Sequence, residues 1–233
     1  CGMFFLENGK HVLMEKPLAN TNEECIALAK LADEKNLKLM VAYPVPYRDG
    51  ILKLKEELDS GKYGRIIQMS IWTEQYTESI GTIAHLGGGQ LFSHGCHYID
   101  LFLRFLGKPV SGFHMGSNLG TPWMEKEGTS NVVIKFENGA MGYHFGTWGA
   151  RGSTHDYDIQ VHCEHGFFDY RMNDGTLKFV CNRGPESKSG KYPHDVVWCF
   201  NKDGSGTNKQ TYREINHFVH CVLNDKKPLT DPW

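Results

Sequence analysis

No two cysteines in the sequence stand in a Cys-x-x-Cys spacing, although there are seven of them. An odd and scattered set (Cys1, Cys25, Cys96, Cys163, Cys181, Cys199 and Cys221) argues against a disulfide framework and suits reduced thiols, with the cytoplasm as the expected compartment. Nor does any apolar run approach the ~18 residues that cross a bilayer, and the basic-then-apolar opening of a signal peptide is missing. Charge of one sign is lacking too. With 25 Lys+Arg against 27 Asp+Glu the net charge is -2, and the lysines are scattered, so neither nucleic acid nor a membrane is an expected partner. Finally, no Gly-x-Gly-x-x-Gly turn occurs, because Gly87-Gly88-Gly89 and Gly204-Ser205-Gly206 both fail to complete it. What remains is a chain of 233 residues, 40% hydrophobic and 22% charged, which is long enough for a sizeable core in one large or two small domains.

The stretch with the most chemistry in it is GGGQLFSHGCHYIDLFLRFLG, Gly87 to Gly107. Ile99, Phe102, Leu103 and Leu106 recur at helical spacing, and Gly107-Lys108-Pro109 is a stop signal. A helix is therefore expected to begin near Ser93 or Gly95. If it reaches back to Ser93, then Ser93, His97 and Asp100 share a face, with His97 near the positive end of the helix dipole, which favours a neutral, proton-accepting imidazole. Read alone, the same residues fit a satisfied core histidine and a surface aspartate better than a catalytic pair. A second stretch, KHVLMEKPLA, ends a short apolar strand (His11 to Met14) on Glu15-Lys16-Pro17. A lysine at the end of a buried strand is costly unless paired or functional.

Together GKHVLMEKPLA and GGGQLFSHGCHYID resemble the glucose-fructose oxidoreductase/inositol dehydrogenase (Gfo/Idh/MocA) family of nicotinamide-dependent enzymes. The family's E-K-P tripeptide falls on Glu15, Lys16 and Pro17, and its GGGxLxDxGxHxxD pattern on Gly87, Gly88, Gly89, Leu91, Gly95, His97 and Asp100. Ser93 stands where the family usually has an aspartate. More weakly, the likeness runs through FENGA (Phe136 to Ala140) to HFVHCVLNDKKPLTDP (His217 to Pro232). The resemblance implies a fold that is α/β plus α+β. Residues 1–43 are the C-terminal remnant of a Rossmann dinucleotide-binding domain, and 44–233 a substrate domain with an open, mainly antiparallel sheet packed on helices. It also implies that the dinucleotide-binding strands precede E-K-P, so the chain is expected to be a piece truncated at both ends and inactive alone.

Taken in order, Thr21-x-x-Glu24 reads as a capping box for a helix lined by Ile26, Leu28, Ala29, Leu31 and Ala32, with Asn36 at its end. Leu37 to Tyr43 reads as a parallel strand, and Pro44-x-Pro46 as the domain boundary, followed by a helix with Ile51, Leu54 and Leu58 inward. From Gly64 the period becomes alternating, with Ile67, Met69 and Ile71 to one side and Gln68, Ser70 and Trp72 to the other. Thr73 to Leu86 reads as a loop, six strands are expected between Val110 and Cys181, and Asn138-Gly139 is a hairpin turn. Asn182 to Tyr192 reads as a loop, and Glu214 to Leu223 as a last helix with Ile215, Phe218, Val219 and Val222 apolar.

The resemblance assigns roles to some of these residues. Lys16 lies between nicotinamide and substrate hydroxyl, where a cation stabilises a developing alkoxide, and His97 removes the hydroxyl proton. Glu15, Lys16 and Pro17 are the cofactor-side residues, and NAD or NADP is the implied cofactor. Ser93 can hydrogen-bond a sugar or hold His97 but cannot carry the missing aspartate's charge. Trp72, Tyr76, His94, Trp148 and His155 are substrate-binding candidates, since aromatic and imidazole rings at strand ends can face a sugar; core or rim packing fits the aromatic positions equally. No metal site is expected, because strand alternation divides His162 and Glu164 from Cys163 and His165. The expected activity is hydride transfer between NAD(P) and a secondary hydroxyl of a sugar, cyclitol or related polyol. The partners are that small molecule and a second copy through the open sheet. Two other readings stand beside it: a hydrolase or lyase that oxidises its sugar only transiently, and a non-catalytic assembly module.

Overall fold

A computed structural model of the chain describes residues 1–77, 88–181, 195–200 and 210–233. Gly87, most of the Thr73 to Leu86 loop, the Asn182 to Tyr192 loop and Gly204 to Gly206 lie outside the described residues. The chain divides into two compact units, Cys1–Arg48 with Lys209–Trp233, and Asp49–Asn208.

In the first unit, helix α1 (Gly2–Glu7) leads into strand β1 (Val12–Glu15), helix α2 (Asn22–Glu34) and strand β2 (Leu39–Ala42). The strands pair in parallel, Val12 opposite Leu39 and Glu15 opposite Ala42. The capping box forms as expected, Glu24 N–H donating to Thr21 Oγ1 at 3.2 Å while the Glu24 carboxylate accepts from Thr21 N–H at 3.3 Å. Asn36, just past the helix, takes φ +52°. Leu6, Val12, Leu18, Leu28, Ala32, Leu39 and Val41 form the core of this unit. The peptide between Lys16 and Pro17 is cis.

The final helix, α5 (Thr211–Leu223), groups with this unit, whereas the sequence read as two consecutive blocks. Backbone pairing is the reason: Val41 N–H donates to Thr230 O at 2.8 Å, and Thr230 Oγ1 donates back to Val41 O at 2.5 Å. Trp233 Nε1 reaches Asp33 at 2.8 Å, and Arg213 donates to Tyr47 O at 3.2 Å. The expected apolar side of α5 is not its buried side. Glu214 and Cys221 are buried, while Ile215 and Val219 are exposed.

The second unit is built on an eight-stranded sheet. Helix α3 (Asp49–Asp59) precedes β3 (Ile66–Glu74); a five-residue π-turn (Leu91–Gly95) then runs into helix α4 (Cys96–Leu106). Strands β4 (Pro109–Ser117), β5 (Thr129–Phe136), β6 (Met141–Thr147), β7 (Tyr157–Cys163), β8 (Gly166–Arg171), β9 (Thr176–Cys181) and β10 (Val196–Cys199) follow. The order is β10-β9-β8-β7-β3-β6-β5-β4, antiparallel throughout except for the central β3–β6 pair. The Asn138-Gly139 turn joins β5 to β6, with Gly139 at φ +87°.

Pleating decides which side chains meet the helices. Met69, Ile71 and Thr73 of β3 are buried, in line with Ile159 and Val161 of β7 and with His144 of β6. Ile67 departs from the expected alternation and is 54% exposed, because the β3–β7 register shifts between Ile66 and Gln68 and turns its side chain out. Along α4 the buried stripe is Tyr98, Leu101, Phe102 and Leu106, which leaves Leu103 45% exposed although it fits the apolar spacing. A further cluster gathers Tyr63, Phe168 and Phe179, with ring centroids 4.4 to 5.0 Å apart.

Candidate active site

The helical segment that carries Ser93, His94 and His97 begins where Gln90 N–H donates to Glu127 O at 2.8 Å, and Leu91 N–H donates to the Glu127 carboxylate at 3.2 Å. A carboxylate on the first free N–H groups of a helical segment satisfies orphan donors and complements the dipole. Gly89 makes room for it. Its φ is +98°, and a Cβ there would lie 2.3 Å from either Glu127 carboxylate oxygen.

The π-turn changes the expected register. Its residues advance more slowly about the axis than in an α-helix, so Ser93, His97 and Asp100 do not stack in the simple i, i+4, i+7 row. Asp100 is taken up by Arg104, which donates to its two oxygens at 2.6 and 3.0 Å. Burial raises the Asp100 pKa, and Arg104 opposes the rise. Ser93 sits on the π-turn, partly buried.

Around His94 several rings converge. Its centroid lies 6.2 Å from His97, 5.4 Å from Tyr98, 5.7 Å from Tyr157 and 6.4 Å from Trp148. Three aromatic rings thus close around His94, and one of them, Tyr98, also lies 6.4 Å from His97. Of the residues expected at the site, this brings together His94, His97 and Trp148, and it adds Tyr98 and Tyr157. Behind them lies a polar layer unread from sequence: Thr73, Gln90 and His144, all buried. Burial, with a smaller contribution from His94, pulls the His144 pKa down to about 3. No motif flags Thr73 or His144, and Gln90 fills an unspecified position of the glycine-led motif; pairing distant in sequence brings the three together.

Trp72 and His155 are not brought to this cluster. They stack on each other at 4.8 Å and 15°, with Trp72 beside Tyr143 at 6.3 Å. Trp72 directly precedes Thr73, and strand alternation sends it to the opposite face of the sheet, where His155 approaches Asp158 at 3.3 Å and Arg171 pairs with the same carboxylate. Tyr76 is half exposed, with the Arg151 guanidinium 5.3 Å from its ring.

In the first unit, Glu15 closes β1 and is exposed, and Lys16 and Pro17 directly after it are half-buried. Position is their main credential, because open parallel sheets bind ligands beyond the carboxyl ends of their strands. Glu214 of α5 was not foreseen. It is buried, one carboxylate oxygen has no hydrogen-bond partner, and burial followed by the nearby Glu15 pushes its pKa up to about 7. A carboxyl whose folded pKa exceeds its unfolded value of 4.5 holds its proton better when folded, so stability falls as pH rises from about 4.5 and levels off above about 7. Glu214→Gln is therefore expected to raise the denaturant midpoint at pH 8 and to have no such effect at pH 4. Equal shifts at both pH values would refute this.

Among the described residues no group of three or more His, Cys, Asp or Glu side chains is placed to hold a metal ion, and no helix is long and apolar enough to cross a membrane.

Comparison with known proteins bears on this geometry. Residues 51–169 match the family model for the GFO/IDH/MocA C-terminal domain, and residues 1–43 that of the oxidoreductase family, NAD-binding Rossmann fold. A 1-carboxy-3-chloro-3,4-dihydroxycyclohexa-1,5-diene dehydrogenase of Comamonas testosteroni is 30% identical over 238 residues, covering 94% of this chain and 56% of that protein. The scyllo-inositol 2-dehydrogenase (NAD(+)) of Bacillus subtilis is 24% identical, covering 96% of this chain and 64% of its own length. The chain thus spans about three fifths of these relatives. Among solved structures, a levoglucosan dehydrogenase in complex with NADH and levoglucosan superposes with a TM-score of 0.86 at 19% identity, over 99% of this chain and 69% of that one. The fold, the two matched segments and the Glu15-Lys16-Pro17 and Gly88-to-Asp100 motifs agree, and the chain belongs to the Gfo/Idh/MocA family of oxidoreductases.

Proposed function

We propose that the chain forms part of an oxidoreductase that moves a hydride between NAD(P) and a secondary hydroxyl or carbonyl of a sugar, cyclitol or related polyol. The observation that carries this reading is the meeting of His94 and His97 with Tyr98, Trp148 and Tyr157 at the front of α4. Imidazoles supply a proton acceptor and a donor for an alcohol–ketone pair, and aromatic rings supply flat apolar surface for a ring of C–H groups. His97 is the residue we assign to removal of the hydroxyl proton, and Ser93, on the preceding π-turn, is assigned as a hydrogen-bonding group. Names of relatives support the substrate class, since a cyclitol and an anhydrosugar dehydrogenase are among them.

The donor set after β1 fits the nicotinamide end of a dinucleotide. Glu15, Lys16 and Pro17 would hold it, at the carboxyl end of a parallel strand and with one half-buried lysine. When bound, NAD(P) supplies the hydride acceptor. Lys16 is the residue we assign to stabilising the negative charge that develops on the substrate oxygen. For assembly, the outer face of the sheet places Phe113 and Met115 of β4, 63% and 61% exposed, in register with Val133 and Asn131 of β5. Apolar side chains in a row on an open sheet face suit a second copy of the chain. A single-chain mass by light scattering of the full-length protein would remove that part of the reading.

The test is cofactor balance in the full-length protein offered a panel of polyols with NAD or NADP. One reduced cofactor and one ketone per turnover are expected. Release of an aglycone without reduced cofactor would replace this reading with transient-oxidation hydrolysis or elimination, a chemistry to which Ser93 in the aspartate position draws attention. Absence of both, with self-association intact, would leave an assembly module.

A further inference from the structure

Gln90 is 0% exposed, and the reading above gives it no task. Its Nε2 lies 3.4 Å from Thr73 Oγ1 and 3.5 Å from His94 Nδ1. Thr73 Oγ1 in turn meets His144 Nε2 at 3.3 Å, and the His144 ring stacks on Tyr98 at 5.5 Å and 17°. A chain of polar groups therefore runs beneath the aromatic cluster and ends on the imidazole at its centre.

We propose that Gln90 is a positioning residue that sets the tautomer of His94: its two amide hydrogens go to Thr73 Oγ1 and His94 Nδ1, which leaves Nδ1 bare and the ring proton on Nε2. One observation fixes which way the carboxamide faces. If it were reversed, its oxygen would face Thr73 and His94, and both amide hydrogens would turn to where Oε1 now lies without a hydrogen-bond partner. Burying an NH2 group with no acceptor costs two donors, against one acceptor in the arrangement seen. Gly146 of β6 makes room for the carboxamide in either orientation: a Cβ there would lie 2.1 Å from Gln90 Nε2 and 2.4 Å from Oε1. The strand omits a side chain at the one place where the carboxamide needs room.

The assignment does not depend on His144. Held neutral by burial, that ring either accepts from the Thr73 hydroxyl or donates to it, and in both cases the Thr73 oxygen keeps a lone pair for Gln90. The consequence rests on the oxidoreductase reading. A His94 protonated on Nε2 is a hydrogen-bond donor, able to steady the oxygen of the alkoxide or ketone, while the acceptor role falls to His97. Neighbouring imidazoles would thus be given opposite tasks by what lies behind one of them.

The experiment is long-range 1H–15N correlation NMR on full-length protein labelled with 15N-histidine, without substrate, at pH 8. His94 signals are identified by their loss in His94→Gln. A pyridine-type Nδ1 and a pyrrole-type Nε2 are expected for His94 in the wild type. Gln90→Glu, which can only accept once ionised, is expected to move the proton to Nδ1 when the pH is raised far enough to ionise it. Gln90→Met, similar in volume but without donors, is expected to give a mixture. A predominantly protonated Nδ1 in the wild type overturns the proposal, as does an unchanged tautomer in whichever variant folds. Because no turnover is measured, failure of the oxidoreductase reading would leave this result unaffected, and the two can be told apart.

Discussion

His97→Ala and Lys16→Ala in the full-length protein are each expected to lower turnover by roughly 100-fold or more. The magnitude follows from what each group would lose. Without His97 the hydroxyl proton has no positioned acceptor, and general acid–base catalysis contributes about 10²- to 10⁴-fold. Without Lys16 the developing alkoxide loses its cation, an electrostatic effect comparable to removing an oxyanion donor. Both losses should fall on kcat more than on KM, since both interactions strengthen as the transition state is approached. Steady-state kinetics with the best polyol measures this. Wild-type turnover in either variant would refute the role of that residue, and wild-type turnover in both would end the assignment. Trp72→Ala offers a contrast: the structure places Trp72 on the other face of the sheet, so its kcat/KM should stay within a few-fold of wild type.

A second large effect is expected from packing. Phe102 is fully buried in α4, its ring against Gly142 of β6, so Phe102→Ala should lower stability by about 3–5 kcal/mol. Loss of the ring leaves a cavity between helix and sheet that the flanking Leu101 and Leu106, themselves buried, cannot fill without shifting the helix. Leu103→Ala, one residue along and 45% exposed, is expected to change stability by much less, no more than about 1 kcal/mol. Chemical denaturation of the two variants compares them directly. Equal midpoints would show that the helix does not rest on the sheet through the Phe102 side.

Much of the fold was legible because it rests on local signals. Thr21 and Glu24 announce the start of α2, Asn138-Gly139 announces the β5–β6 turn, and alternation from Gly64 onward announces a sheet. The errors share a cause in long-range contacts. Leu103 and Ile215 fit an apolar helical spacing, yet which stripe is buried depends on what lies opposite, and in α5 the inward positions include Glu214 and Cys221. Ile67 fits the alternation, yet a register shift against β7 displaces it.

For the site, the sequence alone determined its candidates: a Glu15-Lys16-Pro17 strand end and a glycine-led helix start bearing Ser93, His94 and His97. These could be read because a strand end and a helix start are short-range events, written in consecutive residues. Only the tertiary structure decided their company. It set Trp148 and Tyr157 beside His94, sent Trp72 and His155 to the other face, and brought Thr73, Gln90 and His144 together from 73, 90 and 144 in the chain. The physical reason is that strand order and pleat choose neighbours across the sheet. A residue's face has a period of two along its own strand, but the residue it meets there is set by a partner strand that no local pattern names.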